Sequence, residues 1–161
     1  SRIGKNKKKF YCYKFRTMHP EADFMLEDLL KTNPVIQNEF KSNQKISNDP
    51  RITSIGKYLR FTSLDEIPQI FNILKGEMSF IGPRPIIKEE ITRYGNSFEK
   101  AFSVLPGMSG LWQVSGRNKL SYKRRIQLDL IYAKNINFIL DLNIFFRTIG
   151  VIILPFDRGA A

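Results

Sequence analysis

Residues 49–85 read DPRITSIGKYLRFTSLDEIPQIFNILKGEMSFIGPRP and hold two helical patterns, a helix stop and a rigid turn in succession. Asp49 followed by Pro50 suits an N-cap and first-turn pair for a helix containing Ile55 and Leu59. In a second helix, Ile67, Ile70, Phe71 and Leu74 recur at i, i+3, i+4 and i+7, which predicts one apolar face against the core. Gly76 is a natural stop just beyond it. Gly82-Pro83-Arg84-Pro85 then makes a stiff turn that presents one guanidinium. Where the second helix begins, Ser63 and Glu66 have capping-box spacing, and acids in a first turn complement the helix dipole. Pro68 lies one position too deep for a cap at Ser63. A start at Asp65 brings it into the first turn, where its missing N–H costs little.

Outward from this stretch, helical patterns cover residues 20–30, 34–41, 53–60, 65–74, 85–94 and 121–134. Phe10, Tyr11, Cys12, Tyr13 and Phe15 form a β-prone run, and Leu111-Trp112-Gln113-Val114 reads as another short strand. Pro106-Gly107 marks a turn, and neither a repeat nor a low-complexity linker interrupts the chain. The expectation is an α+β fold: one mostly helical domain over residues 1–161 with a small sheet. From Phe138 to Leu154 the chain is strongly apolar, but Asp141, Asn143 and Arg147 interrupt it and Pro155 ends it. A spanning helix wants about 20 mostly apolar residues, so a transmembrane span is rejected. A core helix and a helix partly embedded in a membrane interface both fit.

Charge narrows the partners. The 161 residues carry 26 Lys and Arg against 15 Asp and Glu, a net +11 that favours nucleic acid, a phosphorylated small molecule or an acidic membrane face. Seven cations (Arg2, Lys5, Lys7, Lys8, Lys9, Lys14 and Arg16) precede the first acid, Glu21, as either a solvated terminus or a segment against anionic headgroups. One cysteine excludes an internal disulfide and a thiolate zinc site; one histidine, His19, argues against Ser-His-Asp chemistry. Cys12 reads as a small apolar packer and Trp112 as core.

Asp65 and Glu66 are the candidates for chemistry. Adjacent carboxylates can supply a nucleophile for phosphorus and a hard oxygen ligand for Mg²⁺, whose sites use one or two carboxylates plus substrate phosphate. Arg60, Arg84 and Arg117 are available as planar phosphate forks. Gly116-Arg117-Asn118 has no Walker spacing and no GxGxxG occurs, so nucleotide binding by those modes is unsupported. Asp129 is either a helix-face charge or a carboxylate that supports a site from behind.

The ordered set of motifs resembles the bacterial sugar transferase family, the monotopic phosphoglycosyl transferases. Its carriers are Lys14-Phe15-Arg16-Thr17-Met18, Asp49-Pro50-Arg51-Ile52-Thr53, Thr62-Ser63-Leu64-Asp65-Glu66-Ile67-Pro68-Gln69 and Phe71-Asn72. Lys75-Gly76-Glu77-Met78-Ser79, Gly82-Pro83-Arg84-Pro85, the run from Pro106 to Arg117 and Leu128-Asp129 complete the series. The resemblance implies an α+β catalytic domain with membrane-interface helices on the cytoplasmic membrane face. It implies that Asp65 attacks the sugar-linked phosphate of a UDP-sugar and that Glu66 helps place Mg²⁺, with both carboxylates as metal ligands. Arg60, Arg84, Arg117, Lys14 and Asp129 are the implied substrate-binding residues, and undecaprenyl phosphate the implied acceptor. Residues 21–48 and 89–95 look most like members that move galactose or glucose phosphate at the start of exopolysaccharide, capsule or O-antigen assembly. Family members carry a re-entrant membrane helix before the position of Ser1, so the chain is expected to be a soluble fragment.

Two other classes stand beside this one. A non-catalytic scaffold of the same fold is opposed by the intact Asp65 and Glu66. A nucleic-acid-binding module is suggested by charge and aromatic content, yet the cations are scattered and no reading motif is present. Apolar surface near residues 138–154 also points to self-association.

Overall fold

Thr53, rather than Asp49, caps the helix that contains Ile55 and Leu59. In a computed structural model, which describes residues 1–43 and 46–153, the Thr53 hydroxyl accepts from the Gly56 amide at 2.9 Å. Asp49 is otherwise engaged: it pairs with Arg51, Nη2 to Oδ2 at 2.6 Å, and both side chains are buried. Leu154 and Pro155, which close the apolar stretch, lie outside the described residues.

The chain divides into two compact units: Phe15–Asp65, and Ser1–Lys14 together with residues 66–153. The first holds α1 (Ala22–Thr32), α2 (Pro34–Asn43) and α3 (Ser54–Thr62). An isolated antiparallel bridge joins Met18 to Ile52, and the Thr53 amide donates to the Thr17 carbonyl at 3.1 Å. Gly56 sits where α3 crosses Thr17; a Cβ there would come within 2.0 Å of the Thr17 carbonyl oxygen. Ser63 ends α3 in the left-handed region at φ +60°, so it closes one helix and does not cap the next.

The second unit carries four short strands. β1 (Arg2–Ile3) pairs antiparallel with β2 (Lys9–Phe10), and β3 (Ser79–Ile81) pairs parallel with β4 (Gly107–Ser109). The β-prone run after Phe10 is not a strand. Asn72, fully buried, donates to the Tyr11 carbonyl (2.7 Å) and accepts from the Tyr13 amide (3.0 Å), so a side chain takes the place of a partner strand. Leu111 to Val114 likewise form turns, and the strand of that region is the preceding Gly107–Ser109.

The α-helix predicted over 65–74 splits. Leu64–Gln69 is a 3₁₀ turn with Pro68 inside it, and only Ile70–Leu74 (α4) is α-helical. Proline has no N–H for the longer-range ladder, which accounts for the tighter turn. Its apolar stripe does not face the core: Ile67, Ile70, Phe71 and Leu74 are 43%, 40%, 60% and 77% exposed. Residues 85–94 shorten in the same way to a 3₁₀ turn, Lys88–Glu90, and α5 (Ile91–Tyr94), because Ile86 bridges to Ile3.

The unit's main core gathers Ile3, Ile86, Tyr94, Phe98, Ala101 and Phe102, from β1, the β3–α5 connection, α5, α6 (Phe98–Ala101) and the residue that ends α6. Against it packs α7 (Tyr122–Asn135), where Ser121 accepts from the Arg124 amide as N-cap. A second core joins Ile81, Val114, Tyr132 and Ile144, which docks α8 (Phe138–Ile153) by one fully buried side chain. Trp112 is buried, as expected. Much of α8 is not: Phe138 and Ile139 are each 78% exposed, and Phe146 is 61% exposed. Among the described residues no helix is long and apolar enough to cross a membrane.

Candidate active site

The side chain of Asn72 decides where Lys14 goes. By holding Tyr11 and Tyr13, and by donating to Glu77 Oε2 at 2.7 Å, it lays the N-terminal segment along α4 up to the residue before Lys14. Lys14 Nζ then reaches Glu66 Oε1 at 2.5 Å. Arg84 approaches the same oxygen at 3.6 Å from the Gly-Pro turn, whose Gly82, Pro83 and Pro85 are buried and rigid while its arginine stays part-exposed. That turn needs glycine at 82, since a Cβ would meet the Leu105 carbonyl oxygen at 2.4 Å.

Burial is the largest influence on Glu66 and by itself would raise its pKa. The charges of Arg84 and Lys14, the Lys14 hydrogen bond and the more distant Arg117 outweigh it and hold the carboxyl below its ordinary value. One carboxylate is therefore set among three cations, and an incoming phosphate would find the donors in place. The hollow they surround, which Arg2, Cys12 and Gln69 also line, holds only ≈10 Å³, about one water. That volume is too small to enclose a phosphate group. Burial pushes the Cys12 thiol up despite Lys14 and Arg2, so it stays a thiol and acts as packing.

Asp65 immediately precedes Glu66 in the same 3₁₀ turn. It is 9% exposed, and its carbonyl accepts from the Phe15 amide at 3.0 Å. Arg60, on α3, donates from Nε to Thr17 Oγ1 at 2.9 Å. Asp129 is fully buried on α7, and its one described hydrogen bond comes from the Tyr94 hydroxyl at 2.7 Å. The helix-face reading of Asp129 is thereby excluded. The structure thus gathers Lys14, Glu66 and Arg84 in contact with Arg117 in electrostatic reach, while Asp129 belongs to the core around Tyr94. Sequence reasoning missed Arg2, Gln69 and the positioning role of Asn72. A buried amide on a short helix leaves no periodic signal.

Among the described residues no three His, Cys, Asp or Glu side chains come together as a metal cage. The available donors are the neighbouring carboxylates Asp65 and Glu66. Two carboxylates fit a Mg²⁺ ion that keeps waters and arrives with substrate phosphates, and they do not suit a fully protein-ligated ion.

Residues 1–155 match the description "bacterial sugar transferase". The chain belongs to the bacterial sugar transferase family. Among its relatives in the family is the UDP-galactose-lipid carrier transferase of Erwinia amylovora, 48% identical over 152 residues, which cover 94% of this chain and 32% of that protein. The undecaprenyl-phosphate galactose phosphotransferase of Salmonella typhimurium is 45% identical over the same shares. The exopolysaccharide production protein ExoY of Sinorhizobium fredii is 44% identical over 159 residues, 99% of this chain and 70% of its own length. The chain thus spans about a third of the first two family members and more than two thirds of the third.

Proposed function

We propose that the chain is the catalytic part of a phosphoglycosyl transferase that moves hexose-1-phosphate, galactose or glucose, from a UDP-sugar to undecaprenyl phosphate at the start of surface-polysaccharide assembly. One observation carries the reading: Glu66, next to Asp65 in one 3₁₀ turn, is held by Lys14 at 2.5 Å and Arg84 at 3.6 Å. The names of the relatives support the donor and acceptor classes.

In the first step an Asp65 carboxylate oxygen attacks the sugar-linked phosphorus. The new O–P bond forms as the bridging P–O bond breaks, and UMP leaves with the electron pair. In the second, a phosphate oxygen of undecaprenyl phosphate attacks the same phosphorus and expels the carboxylate, giving the polyprenyl-diphospho-sugar and restoring Asp65. No proton has to move. Lys14, Arg84 and Arg117 stabilise charge on the transferring group; preset cations cost no reorganisation at the moment of reaction. Asp65 and Glu66 would hold a Mg²⁺ ion, which when bound would supply Lewis-acid neutralisation of phosphoryl charge. The exposed apolar face of α8, with the net charge of +11, supports action at an anionic membrane surface.

The test is UMP release from UDP-galactose and UDP-glucose with Mg²⁺ and undecaprenyl phosphate in a bilayer. Asp65→Asn is expected to release none above background, and chelator to abolish release by the unaltered chain. Turnover by Asp65→Asn equal to that of the unaltered chain would remove the nucleophile and the reading with it.

A further inference from the structure

A cavity of ≈400 Å³ lies along α3, lined by Asp49, Ile52, Lys57, Tyr58, Arg60 and Phe61 with Asn48. That volume is within the range of about 300–1,000 Å³ usual for small-molecule sites. Its charge is one-sided. Asp49 is spent on Arg51, which grips both carboxylate oxygens (Nε to Oδ1 2.8 Å, Nη2 to Oδ2 2.6 Å). Burial would raise the Asp49 pKa, but the Arg51 hydrogen bonds and the charges of Arg51 and Arg60 hold it below the ordinary value, so it stays a compensated anion. Lys57 and Arg60 are in no ion pair among the described residues, unlike Lys14 and Arg84 on Glu66. The Arg60 hydrogen bond to Thr17 uses Nε alone and fixes the guanidinium in place.

Ile52, Tyr58 and Phe61 are the apolar part of the lining, and Tyr58 and Phe61 continue with Ile55 as an exposed apolar stripe of the same helix. Ile55, Tyr58 and Phe61, 75%, 62% and 50% exposed, recur every third residue along α3. A helix that shows water an apolar stripe flanked by cations is built to lie in a membrane interface, with its cations at headgroup level. Lys57 and Arg60, in no ion pair among the described residues although the Arg60 charge also acts on Asp49, stand beside Ile52, Tyr58 and Phe61 and suit an amphiphile with a doubly charged head. A phosphomonoester carries close to two negative charges at pH 7, since its second pKa is about 6, whereas a phospholipid diester carries one and is substituted on both sides.

We propose that this cavity seats the phosphomonoester head and first prenyl units of the polyprenyl phosphate acceptor, with Lys57 and Arg60 on the phosphate and Ile52, Tyr58 and Phe61 on the chain. The proposal rests on the transferase reading and adds the place of the second substrate.

The experiment titrates the ¹⁵N-labelled 161-residue chain with geranyl phosphate, inorganic phosphate, UMP and short-chain phosphatidylglycerol and follows the amides of Asn48, Asp49 and residues 51–61. Geranyl phosphate is expected to shift these amides with saturation. Lys57→Gln should weaken it about tenfold, the loss of roughly one charge-assisted contact, and Lys57→Arg should restore it. Lys57 is exposed, and unchanged spectra elsewhere report an intact fold. Saturation by UMP with none by geranyl phosphate would make the cavity a nucleotide subsite and overturn the proposal. Equal binding of phosphatidylglycerol, or affinity unmoved by Lys57→Gln, would overturn it as well. If geranyl phosphate binds here as expected while no UDP-hexose yields UMP, the transferase reading fails and the site stands.

Discussion

Asp129 and Glu66 are both carboxyls out of bulk water, and their surroundings send them in opposite directions. Asp129 is fully buried; Oδ2 accepts from Tyr94, and Oδ1 has no hydrogen-bond partner among the described residues. Burial pushes its pKa from 3.8 up to about 7, with the Tyr94 bond pulling weakly the other way. Between those two values the fold binds a proton that the unfolded chain has released, so stability falls as pH rises from about 4 to about 7 and then levels. The full span is on the order of 4 kcal/mol. Asp129→Asn cannot titrate, so its thermal stability relative to the unaltered chain is expected to climb between pH 5 and pH 8. A difference independent of pH would refute the assignment. Glu66 has the reverse sign: its depressed pKa contributes stability above the ordinary carboxyl range that is lost as pH falls through the lower folded value.

Two glycines, one in α3 and one in α8, separate close approach from mere presence in a helix. At Gly56 a Cβ would strike the Thr17 carbonyl oxygen at 2.0 Å, and that carbonyl already accepts from the Thr53 amide beside the N-cap. Backbone cannot swing aside as a side chain would. Gly56→Ala is expected to cost about 3 kcal/mol, at the upper end of overpacking penalties. At Gly150 no described residue lies within 4 Å of an added Cβ. Gly150→Ala should stabilise α8 by about 0.5–1 kcal/mol, because alanine loses less backbone entropy in a helix. Denaturation of the two variants by circular dichroism should therefore move the midpoint in opposite directions; a shared direction would contradict the close approach at Gly56.

At the scale of the molecule the exposed apolar side chains stand out. In the unit that contains Glu66, Phe138, Ile139, Phe146, Phe71 and Leu74 are all at least 60% exposed, more than a soluble surface scatters singly. With a net charge of +11, such a surface is expected to bind vesicles containing phosphatidylglycerol better than neutral ones, and less well as salt rises. The double substitution Phe138→Ser and Ile139→Ser should reduce vesicle co-sedimentation by at least about tenfold, since burying either side chain is worth about 1.5–3 kcal/mol. Both residues are 78% exposed, so the melting temperature should not change. Undiminished co-sedimentation would exclude this helix end from the interface.

The amino-acid order alone placed helices over residues 20–30, 34–41, 53–60 and 121–134, found at 22–32, 34–43, 54–62 and 122–135, with the rigid turn around Arg84, the buried Trp112 and the family itself. These are local facts: a period of 3.6, a Gly-Pro cluster, a run of motifs in sequence. Tertiary structure alone decided the rest. Two- and three-residue strands carry too few positions to show alternation, and Asn72 replaces a strand partner for Tyr11 and Tyr13 through contacts about 60 positions away. The stripe at Ile67, Ile70, Phe71 and Leu74 has the periodicity of a core face, yet periodicity says only that one side is apolar, not what lies opposite it. Lys14 meets Glu66 across 52 residues for the same reason. Which charge neutralises which is set by where the chain returns, and no short window of sequence contains that distance.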